Sequence, residues 1–137
     1  MTKVILGNHT AVVAARSEQE PIRKFYRDVL GCKVRATTAE VDRFQLDDVH
    51  ICFVWQDAAL GDGDFLKATY LELKSDNVEE TKQKILAFGV KKLEIPDPHL
   101  YFQAPGGQVF RLVGIGEDLS IYEESLSSRP AMSTSAA

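Results

Sequence analysis

Cysteine is scarce in this chain. The 137 residues hold two, Cys32 and Cys52, too few for a disulfide framework. Both thiols are expected to be reduced, with the cytoplasm as the default compartment. No apolar run approaches the roughly 20 residues that a membrane span needs. The opening MTKVILGNHTAVV has one lysine and a short apolar run before it turns polar, which is not a signal-peptide pattern. A basic stripe is also missing. Net charge is −4, and Lys91-Lys92 reads as an isolated pair at a solvated strand end. Nucleic acid is therefore not an expected partner. No Ser-His-Asp motif, P-loop or Rossmann glycine pattern is present. Asp62 and Asp64 lie in a Gly-Asp-Gly-Asp turn without the ligand spacing of a calcium loop.

What is present is an amphipathic plan used twice. Ile22, Phe25, Tyr26, Val29 and Leu30 recur at i, i+3, i+4, i+7 and i+8, one face of a helix over residues 18–30. Ser17 and Glu20 have capping-box spacing, Pro21 falls in the first turn, and Gly31 can end the helix in the left-handed conformation. A second helix over residues 77–88 repeats this, with Asn77 and Glu80 at its start, Val78, Ile85 and Leu86 on its apolar face, and Gly89 at its end. Strands are expected at 9–15, 32–36, 41–46 and 49–55, and again at 69–74, 91–94, 99–103 and 108–113, from β-branched content and period-2 alternation. Each half reads β-α-β-β-β. The expected architecture is α+β: paired βαβββ modules, about 4–55 and 68–114, in one domain over 1–116 around a shared cavity. One or two helical turns are expected at 120–126, within a tail over 117–137 that is small, polar and largely disordered.

The segments FYRDVLG (Phe25 to Gly31) and APGGQVFRLV (Ala104 to Val113), set in the repeated βαβββ plan, resemble the vicinal oxygen chelate superfamily. This is the glyoxalase, bleomycin-resistance and extradiol-dioxygenase group. The resemblance covers about Asn8 to Val113. It implies modules paired around a pocket, commonly completed as a homodimer. In the superfamily's enzymes a divalent metal sits in that pocket, held from the first and last strands of each module. Carried over by position, His9 or Ala11 takes the first place, and His50 or Cys52 the second. Tyr70 stands where histidine is common. Arg111 stands where the metal enzymes carry glutamate. A guanidinium only donates hydrogen bonds and adds positive charge where a dication belongs, so the usual metal is not expected.

Strand alternation then sorts the side chains. Val109, Arg111 and Val113 share one face, as do Tyr70 and Glu72, while Phe110, Leu112, Leu71 and Leu73 face the helix. The expected ligand-binding set is His9, His50, Cys52, Tyr70, Glu72 and Arg111, with Glu72 and Arg111 the candidate catalytic pair. Leaving the last two unpaired in a hollow would cost several kcal/mol each, so they should pair with each other or with a ligand. Structural readings stand beside these: Cys52 as a small buried hydrophobe, His9 as a strand-end histidine, His99 as a loop-edge residue. Four functions follow. The first is a metal-free protein binding a small organic ligand, anionic or carbonyl-bearing, through Arg111. The second is a lyase, isomerase or dioxygenase with a displaced zinc, iron, nickel or manganese site at His9, His50 and Glu72. The third is a cofactor-free enzyme with Glu72 or His50 as base and Arg111 as electrophile. The last is a module that only dimerises.

Overall fold

The computed structural model describes residues 2–122. The chain divides into two compact units between Leu60 and Gly61, and each is a βαβββ module.

The first unit runs β1 (His9–Ala15), a helical segment, β2 (Lys33–Thr37), β3 (Val41–Leu46) and β4 (Val49–Gln56). The sheet order is β1-β4-β3-β2, with β1 parallel to β4 and the other pairs antiparallel. Parallel pairing of β1 with β4 requires a crossover, which the helix begins. That helix is less regular than its periodicity predicts. A 3₁₀ turn (Arg16–Glu18) leads into α1 (Gln19–Lys24) and then into a π-helical turn, Phe25–Val29. The Ser17–Glu20 capping box does not form: no side chain caps either start, and Glu20 turns instead to Arg23. The π turn closes with Leu30 N–H donating to the Phe25 carbonyl. Its extra residue changes which side chains face inward. Ile22, Phe25 and Tyr26 are fully buried, whereas Val29 and Leu30, expected on the same face, are half-buried.

Aromatic rings fill this core. Tyr26 lies 5.7 Å from Phe44 and 4.8 Å, edge-on, from Phe53, and Phe53 stacks on Trp55. Burial of each such side chain contributes about 1.5–3 kcal/mol. One charged residue shares this face. Asp42 on β3 is fully buried. It accepts two hydrogen bonds from Arg23, at 2.6 and 3.0 Å, and one from the Trp55 indole at 3.2 Å.

The second unit repeats the order with β5 (Tyr70–Ser75), α3 (Val78–Phe88), β6 (Lys91–Leu93), β7 (Leu100–Gln103) and β8 (Val109–Gly114). Its sheet order, β5-β8-β7-β6, is the same permutation, again with the first and last strands parallel. Here the helix signals hold. The Asn77 side chain accepts from Glu80 N–H and donates to the Glu80 carboxylate, and Gly89 closes the helix at φ 95°. Helix α3 packs on β5 and β8, with Ile85 fully buried.

The stretch before β5, which holds the Gly-Asp-Gly-Asp turn of Asp62 and Asp64, is more regular than a turn. It contains a short helix, α2 (Asp62–Phe65). The Gln103 amide holds it by donating to the carbonyls of Asp62 and Gly107. Phe65 covers Gly107, which sits at φ 112°, and a Cβ there would run into the ring. Gly107→Ala is expected to cost about 1–3 kcal/mol through backbone strain and overpacking. Urea unfolding curves of the two proteins would measure it. After β8, Ser120–Tyr122 form a 3₁₀ turn. Residues 123–137, which hold the rest of the helical turns expected at 120–126 and of the tail expected to be largely disordered, lie outside the described residues.

Candidate functional site

In the second unit, register places Tyr70 beside Val109, and Glu72 and Tyr101 on either side of Arg111. These residues share the sheet face turned away from α3, as the alternation predicts. Arg111 is 8% exposed. Its Nη2 donates to Glu72 at 2.6 Å, and Nη1 donates to the Tyr101 hydroxyl at 3.4 Å. The guanidinium carbon lies 4.2 Å from the centroid of the Tyr122 ring and 5.3 Å from that of Tyr70. A cation held against aromatic faces is stabilised by their quadrupoles. Burial alone would lower the Arg111 pKa, but the bonds to Tyr101 and Glu72 outweigh it and hold the pKa above the usual value. Arg111 Nε is buried and has no hydrogen-bond partner.

Beside this centre is a cluster that sequence reasoning missed. His99 Nδ1 lies 2.9 Å from Asp97 and Nε2 lies 2.5 Å from Glu117. The Tyr122 hydroxyl donates to the Asp97 carboxylate and lies 2.7 Å from His99 Nδ1. His99 is thus no bare loop edge: it ties the segment after β8 to the loop before β7. The same segment carries the ring that covers Arg111. Burial would lower the His99 pKa, but hydrogen bonds to Glu117 and Asp97 raise it above the ordinary value. Glu117 is held low, first by Gly114 N–H and then by His99. For Asp97, burial is opposed and outweighed by bonds from His99 and Tyr122, and its pKa also falls.

These directions fix a pH dependence. A folded-state pKa raised above its unfolded value near 6.5 gives stability that is full below that value and lost as pH rises through the folded pKa. The carboxylates contribute above their unfolded values, near 4, and lose that contribution as pH falls through their lowered folded pKa values. The stabilising advantage of native protein over His99→Gln is therefore expected to shrink as pH rises from 6 through the raised His99 value. Thermal unfolding midpoints across pH would check it, and an advantage that grows with pH would refute it.

The first unit holds His9, His50 and Cys52. His9 and His50 are register partners on β1 and β4. Their rings stack at 4.4 Å with planes 5° apart, and His9 Nδ1 lies 2.9 Å from the Asn8 side-chain oxygen. His50 is half-buried, and its Nδ1 has no partner. Burial, then His9, Arg43 and Arg35, lower its pKa. Cys52 is half-buried beside Arg43. Burial pushes the Cys32 thiol up to about 11, which keeps it protonated and unreactive at neutral pH.

The stacked His9 and His50 rings are not arranged to share a divalent metal. Imidazole lone pairs lie in the ring plane, so an ion about 2.0–2.1 Å from nitrogens of both stacked rings would sit out of both planes. Among the described residues, no group of three or more His, Cys, Asp or Glu side chains could hold a metal ion.

Comparisons with known proteins agree with this architecture. The family profile of the glyoxalase/bleomycin resistance protein/dioxygenase superfamily matches residues 8–106. The chain belongs to this superfamily. A solved glyoxalase family protein from Bacillus anthracis is 18% identical, with a TM-score of 0.66 over 83% of this chain and 98% of the other. A mutant of the fosfomycin resistance protein FosX from Listeria monocytogenes, complexed with Mn(II) and 1S,2S-dihydroxypropylphosphonic acid, is 13% identical. Its TM-score is 0.69 over 89% of this chain and 98% of the other. An integron cassette protein from V. cholerae is 16% identical, with a TM-score of 0.61 over 83% and 98%. At these identities the likeness shows the fold alone. No curated protein matches the sequence. No helix among the described residues is long and apolar enough to cross a membrane.

Proposed function

We propose that the protein binds a small organic ligand, anionic or carbonyl-bearing, without the divalent metal usual in the superfamily. Tyr70, Glu72 and Arg111, on one face of the second unit's sheet, would contact it. The observation that carries this reading is Arg111. Its buried guanidinium is paired with Glu72 and, among the described residues, keeps one N–H unsatisfied; by the resemblance it would stand at the carboxylate position. An unsatisfied buried donor costs about 1–3 kcal/mol, and a ligand oxygen would recover part of that. The partly neutralised pair favours a carbonyl, hydroxyl or singly charged carboxylate over a highly charged group.

A homodimer in the cytoplasm is part of the same proposal. What supports the dimer is that β1 is an edge strand, preceded by Val4, Ile5 and Leu6 at 88, 76 and 98% exposure. Sheet edges of this kind are usually covered. Sedimentation equilibrium at micromolar concentration should give the dimer mass, and a pure monomer would count against it. Ligand binding is tested by calorimetry with a panel of small keto and hydroxy acids. Saturable heats in native protein that weaken at least tenfold in Arg111→Lys are expected, because the fork and the ring contacts are lost. Equal affinity in both proteins would remove Arg111 from the site.

A further inference from the structure

The free face of the first sheet carries positive charge that nothing in the described chain neutralises. Arg43 on β3 lies opposite Cys52, one step from the His9–His50 pair. Arg35 falls where β2 shifts register, between Val34 and Ala36. A bulge of this kind brings two successive residues opposite one partner, and that partner is Arg43. Arg35 and Arg43 therefore sit on neighbouring strands at one level of the sheet. The other arginines of this unit are engaged: Arg16 with Asp57, Arg23 with Asp42 and Glu20, Arg27 with Asp28. Among the described residues, neither the Arg35 nor the Arg43 side chain has an ion pair or a hydrogen bond. The buried acid on β3, Asp42, points to the opposite face, where Arg23 and Trp55 hold it.

Arg43 is also held in place. It is half-buried, and its Nε is buried without a partner, so packing rather than hydrogen bonding fixes its stem. Its desolvation is already complete at that atom, which reduces what a ligand must displace. Burial and then His9 lower the His50 pKa most, and Arg43 and Arg35 add to the same direction. The two arginines stand on a chain whose net charge is −4, so they are a local reversal of sign.

We propose that Arg35, Arg43 and His50 form a binding subsite for a small dianion of the phosphate class. Two guanidiniums match the two charges of such a group and can donate in forked pairs to its three free oxygens. His50, one same-face position from Arg43's partner Cys52, offers a ring N–H beside them. A monocarboxylate would leave one arginine uncompensated, so the dianion is preferred. The site lies wholly in the first unit and does not rest on the Arg111 reading.

The test is calorimetric titration of the full chain with inorganic phosphate, at fixed ionic strength set with sodium chloride, and with acetate as the monoanion. Saturable phosphate binding with one site per chain is expected, with acetate at least tenfold weaker. Arg43→Gln should weaken phosphate binding tenfold or more. Arg35→Gln, an exposed change with little risk to folding, should weaken it severalfold. Arg111→Lys should leave it unchanged. No saturable phosphate binding, equal binding of acetate, or unaltered affinity in both Arg35→Gln and Arg43→Gln would overturn the proposal. Loss only in Arg111→Lys would overturn it too, and would move the anion to the second unit.

Discussion

Arg23→Met should destabilise the protein by about 3–5 kcal/mol, the cost of removing one partner from a buried pair. Asp42 is fully buried, and among the described residues Arg23 is its only ion-pair partner. Without Arg23 the carboxylate keeps one hydrogen bond, from the Trp55 indole. Hydrophobic packing by methionine cannot solvate a carboxylate. The reverse change should be milder. Asp42→Asn keeps an acceptor for Trp55 and leaves Arg23 with Glu20 and water, since the Arg23 side chain is 24% exposed. A loss of about 1.5–3 kcal/mol is expected there, the range for a charge-assisted bond. Urea unfolding of the two variants and the double variant would give the coupling directly. Equal small losses in both single variants would mean that the cluster contributes little.

Glu72→Ala is the second large effect. It removes the carboxylate paired with Arg111, the only one among the described residues; the Arg111 side chain is 9% exposed. The Tyr101 hydroxyl and the tyrosine rings cannot replace a counter-ion. Glu72 itself is 28% exposed, so solvent screens part of the loss, and about 2–3 kcal/mol is expected rather than the full value for a buried pair. Adding Arg111→Met to Glu72→Ala should restore most of the stability, because the pair is then replaced by apolar packing. Denaturant midpoints of the three proteins decide the matter. A double variant no more stable than Glu72→Ala would mean that Arg111 stabilises by packing and not by charge.

Much of this could be read from residue pattern. Period-2 alternation placed Tyr70, Glu72 and Arg111 on one face and Phe110 and Leu112 on the other, because strand geometry is local. The repeated βαβββ order followed from two capped amphipathic helices, each between apolar runs. The failures have physical causes. The first helix follows its expected face only as far as Tyr26, because a π turn is set by packing and not by propensity. Asp42 breaks the apolar pattern of VDRFQL, and nothing in that segment reveals that Arg23, 19 residues earlier, satisfies it. His99 looked idle beside Pro98, since its partners Glu117 and Tyr122 come from beyond the last strand. Alternation in HLYFQ did contain the signal for Tyr101, two strands from Glu72 and facing the same way. The charge on Arg35 and Arg43 was visible in the sequence, but its lack of partners was not.

The central claim is that a fixed guanidinium has taken the place of a metal-binding carboxylate. Calorimetric titration of chelator-free native protein with zinc, nickel and manganese tests it most directly, with Arg111→Glu titrated in parallel. Native protein is expected to bind none of the three stoichiometrically. The variant returns a carboxylate to the position and should gain measurable affinity for zinc or nickel while losing organic-acid binding. Tight, one-to-one metal binding by the native protein would contradict the claim.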